Sequence, residues 1–108
     1  MSRSHVTTHV LDAATGRPAT GIAVALEAFD GTVLGSGVTD VDGRIGTLGP
    51  EELPTGDYRI RFDTRAWFAG RPAFYPEVVI AFTIVDSDDH YHVPLLLSPF
   101  AYSTYRGS

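Results

Sequence analysis

The stretch Tyr58-Arg59-Ile60-Arg61-Phe62 alternates large apolar and charged side chains without a break. In an extended chain successive side chains point to opposite faces, so Tyr58, Ile60 and Phe62 share an inward face and Arg59 and Arg61 an outward one. Leu53-Pro54-Thr55-Gly56-Asp57, just upstream, is rich in turn formers and marks the entry to a strand. Working outward, the period stays at two rather than 3.6. Val6 to Leu11 reads as a first strand, closed by the loop Asp12 to Pro18. Ile22 to Phe29 and Thr32 to Thr39 are two more, joined by the hairpin turn Asp30-Gly31. Downstream lie Glu77 to Val85, a turn at Asp86-Ser87-Asp88-Asp89, then His90 to Leu97 and Tyr102 to Arg106. Thr64 to Gly70 is the one stretch that reads as a helix, capped by Asp63 or Thr64 and stopped by Gly70. The expectation is an all-β chain of seven to eight strands with one short helix, packed as a two-sheet β-sandwich in a single domain, 1–108.

The bulk properties narrow the function classes. With 44% hydrophobic and 19% charged residues over 108 positions, the chain has the composition of a folded soluble domain rather than a disordered one. All eight basic residues are Arg, and the formal net charge is -5. No basic stripe exists to neutralise phosphates, so a nucleic-acid partner is not expected; a small molecule or a protein is. The absence of Cys excludes disulfides and thiolate catalysis. Met1-Ser2-Arg3-Ser4-His5 lacks an apolar leader, and the longest apolar run, around Val78 to Val85, is too short to span a bilayer. The expectation is a cytoplasmic protein without a membrane partner.

Chemistry-bearing residues concentrate in a few places. His90 and His92 share one face of their strand with Pro94 and Leu96, while Tyr91, Val93, Leu95 and Leu97 take the other; His9 shares a face with His5 and Thr7. Each histidine taken alone reads as a surface or hydrogen-bonded side chain. Three together suit a zinc site, since an H-x-H strand spacing presents two nitrogens to one metal. They suit equally a metal-free site in which one imidazole takes a proton from water and a second steers the leaving group. Arg44, in Asp42-Gly43-Arg44-Ile45-Gly46, is a solvated loop charge or a planar cation whose fork matches a carbonyl or enolate of a flat heterocycle. Arg106 carries the same two readings. No phosphate-binding glycine loop and no Gly-x-Ser-x-Gly elbow is present, which favours activated water over a covalent nucleophile.

Four segments, in order and with compatible spacing, resemble the 5-hydroxyisourate hydrolases, the transthyretin-like enzymes of urate breakdown. They are His9-Val-Leu-Asp-Ala-Ala-Thr-Gly-Arg-Pro-Ala19, Asp42-Gly43-Arg44, Phe74-Tyr-Pro-Glu-Val-Val-Ile80, and His90-Tyr-His-Val-Pro-Leu-Leu-Leu-Ser-Pro99 with the ending Tyr105-Arg106-Gly107-Ser108. The resemblance implies a transthyretin-like sandwich that hydrolyses 5-hydroxyisourate to 2-oxo-4-hydroxy-4-carboxy-5-ureidoimidazoline, a cyclic amidase reaction, with no cofactor and no metal. It places the catalytic groups on His9, Arg44 and His92, and substrate contacts on His9, Arg44, Tyr105, Arg106, Gly107 and Ser108. His90 joins as an auxiliary residue because it shares the face of His92. A homotetramer with active sites in a channel between dimers is implied as well. The same fold serves transthyretin, a hormone carrier, so a ligand-binding protein without hydrolase activity is the alternative, and the site must decide.

Overall fold

The computed structural model describes residues 4–108; Met1, Ser2 and Arg3, part of the stretch read as lacking a leader, lie outside the described residues. The elements in chain order are β1 (Val6–Asp12), β2 (Arg17–Pro18), β3 (Ala23–Ala28), β4 (Val33–Val38), β5 (Arg44–Ile45), β6 (Gly56–Phe62), α1 (Thr64–Phe68), β7 (Val78–Ile84), β8 (Tyr91–Ser98) and β9 (Ala101–Thr104). Seven longer strands and one short helix match the expectation; the two-residue strands β2 and β5 are added to them. One sheet runs β2-β1-β8-β9, with β5 also pairing with β1; the other runs β4-β3-β6-β7. Every pair is antiparallel except β1 with β8.

The alternation read from the sequence builds the core. Ile60 and Phe62 are fully buried and Tyr58 nearly so, together with Leu26 and Ile84 of the second sheet and Val6, Val10, Leu95 and Leu97 of the first. Each such side chain contributes roughly 1.5–3 kcal/mol by leaving water. A one-residue slip of β8 would turn Tyr91, Val93, Leu95 and Leu97 outward and His92 inward, so the burial that closes the core also fixes His92 on the opposite face.

Local chemistry ends the elements. Asp63 caps α1 by accepting from the Ala66 N–H, and Ala69, rather than Gly70, is the first residue to turn left-handed (φ 50°, ψ 50°). In β8, Pro94 has no N–H to give. On the register that pairs Leu95 with Thr104, Pro94 would oppose Tyr105, and there the β8–β9 ladder stops. The Thr104 hydroxyl donates to the Pro94 carbonyl at 2.7 Å instead. The tail then rejoins β8 in the same register, as a bridge between Gly107 and His92. The sequence reading carried this last strand on to Arg106; the missing N–H of Pro94 is why it ends at Thr104. No helix among the described residues is long and apolar enough to cross a membrane.

Candidate active site

The outer face of the first sheet, turned away from the core, carries the chemistry. Parallel pairing sets Thr7 of β1 beside His92 of β8, and His9 beside Pro94. The Thr7 hydroxyl lies 2.8 Å from His92 Nδ1 and 2.8 Å from His90 Nε2. Two histidines spaced i, i+2 thus converge on one oxygen. Neither the hydroxyl nor its role was singled out from the sequence, although Thr7 had been placed on the face of His9.

Arg44 arrives from the opposite edge of β1, where β5 pairs it with His9. The approach depends on a tight turn. Asp40 Oδ1 accepts from the N–H groups of Asp42 and Arg44, each at 2.9 Å, and Gly43 sits at φ 74° with its carbonyl accepting from Val10 N–H at 2.7 Å. A Cβ on Gly43 would run into the Val10 carbonyl oxygen, so the turn that delivers Arg44 needs glycine there.

The tail supplies the remaining wall. Gly107 N–H donates to the His92 carbonyl at 2.8 Å, and a side chain at Gly107 would run into the imidazole. Ser108 follows directly into a cavity of about 270 Å³ whose walls include Thr7, Arg44, His90 and His92. Arg106 turns the other way. Its guanidinium stacks on the Tyr91 ring at 4.4 Å, lies 3.7 Å from the Asp89 carboxylate and donates to the His90 carbonyl at 3.5 Å.

The structure therefore gathers Arg44, His90, His92 and Ser108 round one cavity. Gly107 packs behind His92. His9 is half-buried on the same face beside Arg44 but not in the cavity wall, and Tyr105 and Arg106 lie outside it. His5 departs from the expected shared face because it precedes β1. It is buried against Tyr91, where Nδ1 accepts from Leu53 N–H at 2.9 Å, so Nε2 carries the proton and donates to the Asp89 carbonyl at 2.6 Å. His5 thus anchors the turn that leads into His90. Among the described residues no three His, Cys, Asp or Glu side chains come together as a metal site.

A cation, paired imidazoles and a hydroxyl around one cavity can bind a small polar molecule, move a proton to or from it and stabilise an oxyanion. Residues 6–107 match the HIUase/Transthyretin family. The chain belongs to that family. Within the HIUase/Transthyretin family it is 48% identical to the 5-hydroxyisourate hydrolase of Salmonella typhimurium over 106 residues, which cover 93% of this chain and 78% of that one. The structure of Klebsiella pneumoniae 5-hydroxyisourate hydrolase superposes with a TM-score of 0.88 at 43% identity over the full length of both chains. Transthyretin from Sparus aurata, a member of the same fold, superposes with a TM-score of 0.86 at 34% identity over 97% of each.

Proposed function

We propose that the protein hydrolyses 5-hydroxyisourate in urate degradation. The observation that carries the reading is the convergence of Arg44, His90, His92 and Ser108 on one cavity of the first sheet, in a chain more similar to two 5-hydroxyisourate hydrolases than to transthyretin. His92 takes a proton from water as the oxygen adds to the ring carbonyl. Arg44 stabilises the negative charge that develops on the carbonyl oxygen. The ring C–N bond then breaks, the nitrogen takes up a proton, and a carboxylate is left on the opened product. His9, beside Arg44, is the second catalytic histidine. Ser108 closes the cavity wall over the substrate, Gly107 backs His92, and Tyr105 and Arg106, outside the single-chain cavity, order the tail that carries them.

The working unit in this proposal is a homotetramer. His9 and Tyr105 lie on the same side of the molecule's functional sheet without lining the single-chain cavity, and apposed subunits would bring them to the substrate. The test is to generate 5-hydroxyisourate in situ with urate oxidase and to follow its ultraviolet decay with the protein after chelator treatment. Acceleration is expected, with a loss of about a hundred-fold or more in H92A and R44A. Unchanged decay with a folded protein that binds aromatic ligands would replace the hydrolase by a carrier of the transthyretin type.

A further inference from the structure

We propose that Thr7 is a positioning residue that couples His90 and His92 into one proton-sharing unit. The inference rests on the hydrolase reading for its consequence in catalysis, but its core is a count of protons. The Thr7 oxygen is 2.8 Å from His90 Nε2 and 2.8 Å from His92 Nδ1. A hydroxyl has one proton to donate and lone pairs to accept. It can satisfy only one unprotonated nitrogen, so at least one of these two ring nitrogens carries a proton of its own and donates to Thr7. The two rings are not independent.

Beside the arrangement in which both nitrogens carry protons and the hydroxyl donates elsewhere, two neutral arrangements let the Thr7 hydroxyl bridge the rings. In one, His90 Nε2–H donates to Thr7 and the Thr7 hydroxyl donates to His92 Nδ1; His92 then carries its proton on Nε2 and is no base there. In the other, His92 Nδ1–H donates to Thr7 and the Thr7 hydroxyl donates to His90 Nε2. The lone pair of His92 then sits on Nε2, ready to accept from water. Thr7 therefore links the base competence of His92 to the tautomer of His90.

The same contacts describe what happens once His92 has taken the proton. Its Nδ1 proton passes to the Thr7 oxygen while the hydroxyl proton passes to His90 Nε2. Bonds and charge balance, and the positive charge moves from His92 to His90 without a change in heavy-atom positions. His90 thus acts as the proton reservoir and Thr7 as the fixed bridge. The bridge is held rigidly. Thr7 is 7% exposed, is β-branched and lies inside the β1–β8 ladder. Among the described residues, the titratable and charged groups around the unit include His9 on β1, Arg44 on β5, His5 and Asp89 at the turn before His90, Glu51, Glu52 and Asp88, which share a surface hollow with His90, and Arg106 in the tail.

The experiment is ¹⁵N NMR of the histidine rings in the whole protein, assigned with H90Q and H92Q, alongside kinetics of T7V and T7S. In the wild type at least one of His90 Nε2 and His92 Nδ1 is expected to be protonated. Finding both unprotonated overturns the proposal, whatever the variants do. T7V keeps the shape and removes the hydroxyl; it is expected to shift the tautomers of both rings together and to lower kcat about a hundred-fold with KM within about twofold, while T7S stays close to wild type. T7V with unchanged tautomers or wild-type kcat overturns the coupling. The NMR arm needs no substrate, so a wild-type protein without hydrolase activity would sink the functional reading and leave this one to be judged by its spectra.

Discussion

Gly107 shows how little room the site leaves at the level of one residue. A Cβ there would stand 2.6 Å from Cδ2 of the His92 ring, closer than carbon atoms approach, and 3.2 Å from Cγ, a tight contact. The backbone bond from Gly107 to the His92 carbonyl holds the tail in place, so the ring has to give way and with it the 2.8 Å contact to Thr7. G107A is therefore expected to lower turnover by about a hundred-fold, the scale of a displacement near 1 Å in a catalytic group. Its thermal unfolding should stay near that of the wild type, because Gly107 is outside the core. A fully active G107A would mean that the ring position does not matter. The expectation for His92, Arg44 and Ser108 came from the motifs, and for His92 from the alternation that assigns its face as well; the fold brings the three to one cavity. Thr7 was not legible in the sequence, because a period of two says which face a side chain takes and nothing about which strand lies beside it. The inward swing of His5 was hidden for a related reason: it sits one residue before the pattern begins.

At the scale of elements, the longer strands were visible and the short ones were not. β2 and β5 have two residues each, too few to show a period, yet β5 is the strand that presents Arg44. The partners of outward-facing residues were equally hidden. Arg61 faces out as its alternation requires, but cross-strand register sets it between Glu27 at 3.0 Å and Glu77 at 2.7 Å. Both carboxylates push the guanidinium pKa further up, with the Glu27 hydrogen bond as the largest cause. Glu27 is only 5% exposed, whereas Glu77 is half-exposed, so the first pair matters more for stability. R61A leaves Glu27 buried without its cation and is expected to lower the urea midpoint of unfolding. Since Arg61 belongs to the second sheet, hydrolysis by the folded fraction should be unchanged. A loss of activity without a loss of stability would contradict that separation of roles.

For the whole molecule, the division between the two sheets sets the expectations. The second sheet, β4-β3-β6-β7, is a scaffold; the first carries the proposed site, and its outer face is where copies of the chain would meet in the proposed tetramer. Light scattering is expected to give a particle of four 11.7 kDa chains. A fully active monomer would remove the need for apposed subunits. The sandwich itself was legible because burial requires two faces to meet. The assembly of the first sheet was not, since only the folded chain shows β1 lying parallel to β8.

That pairing has a consequence for how the protein is made. Thr7 and His92 are 85 positions apart. At roughly 5–20 residues per second, a ribosome takes about 4–17 s to supply the second after the first. The strands β3, β4, β6 and β7 are all synthesised within that interval and pair only with one another. The scaffold sheet can therefore close while β1 still waits with an open edge, exposed to association with other nascent chains. In the proposed site His90, His92 and Ser108 come last, and a chain interrupted before β8 lacks all three.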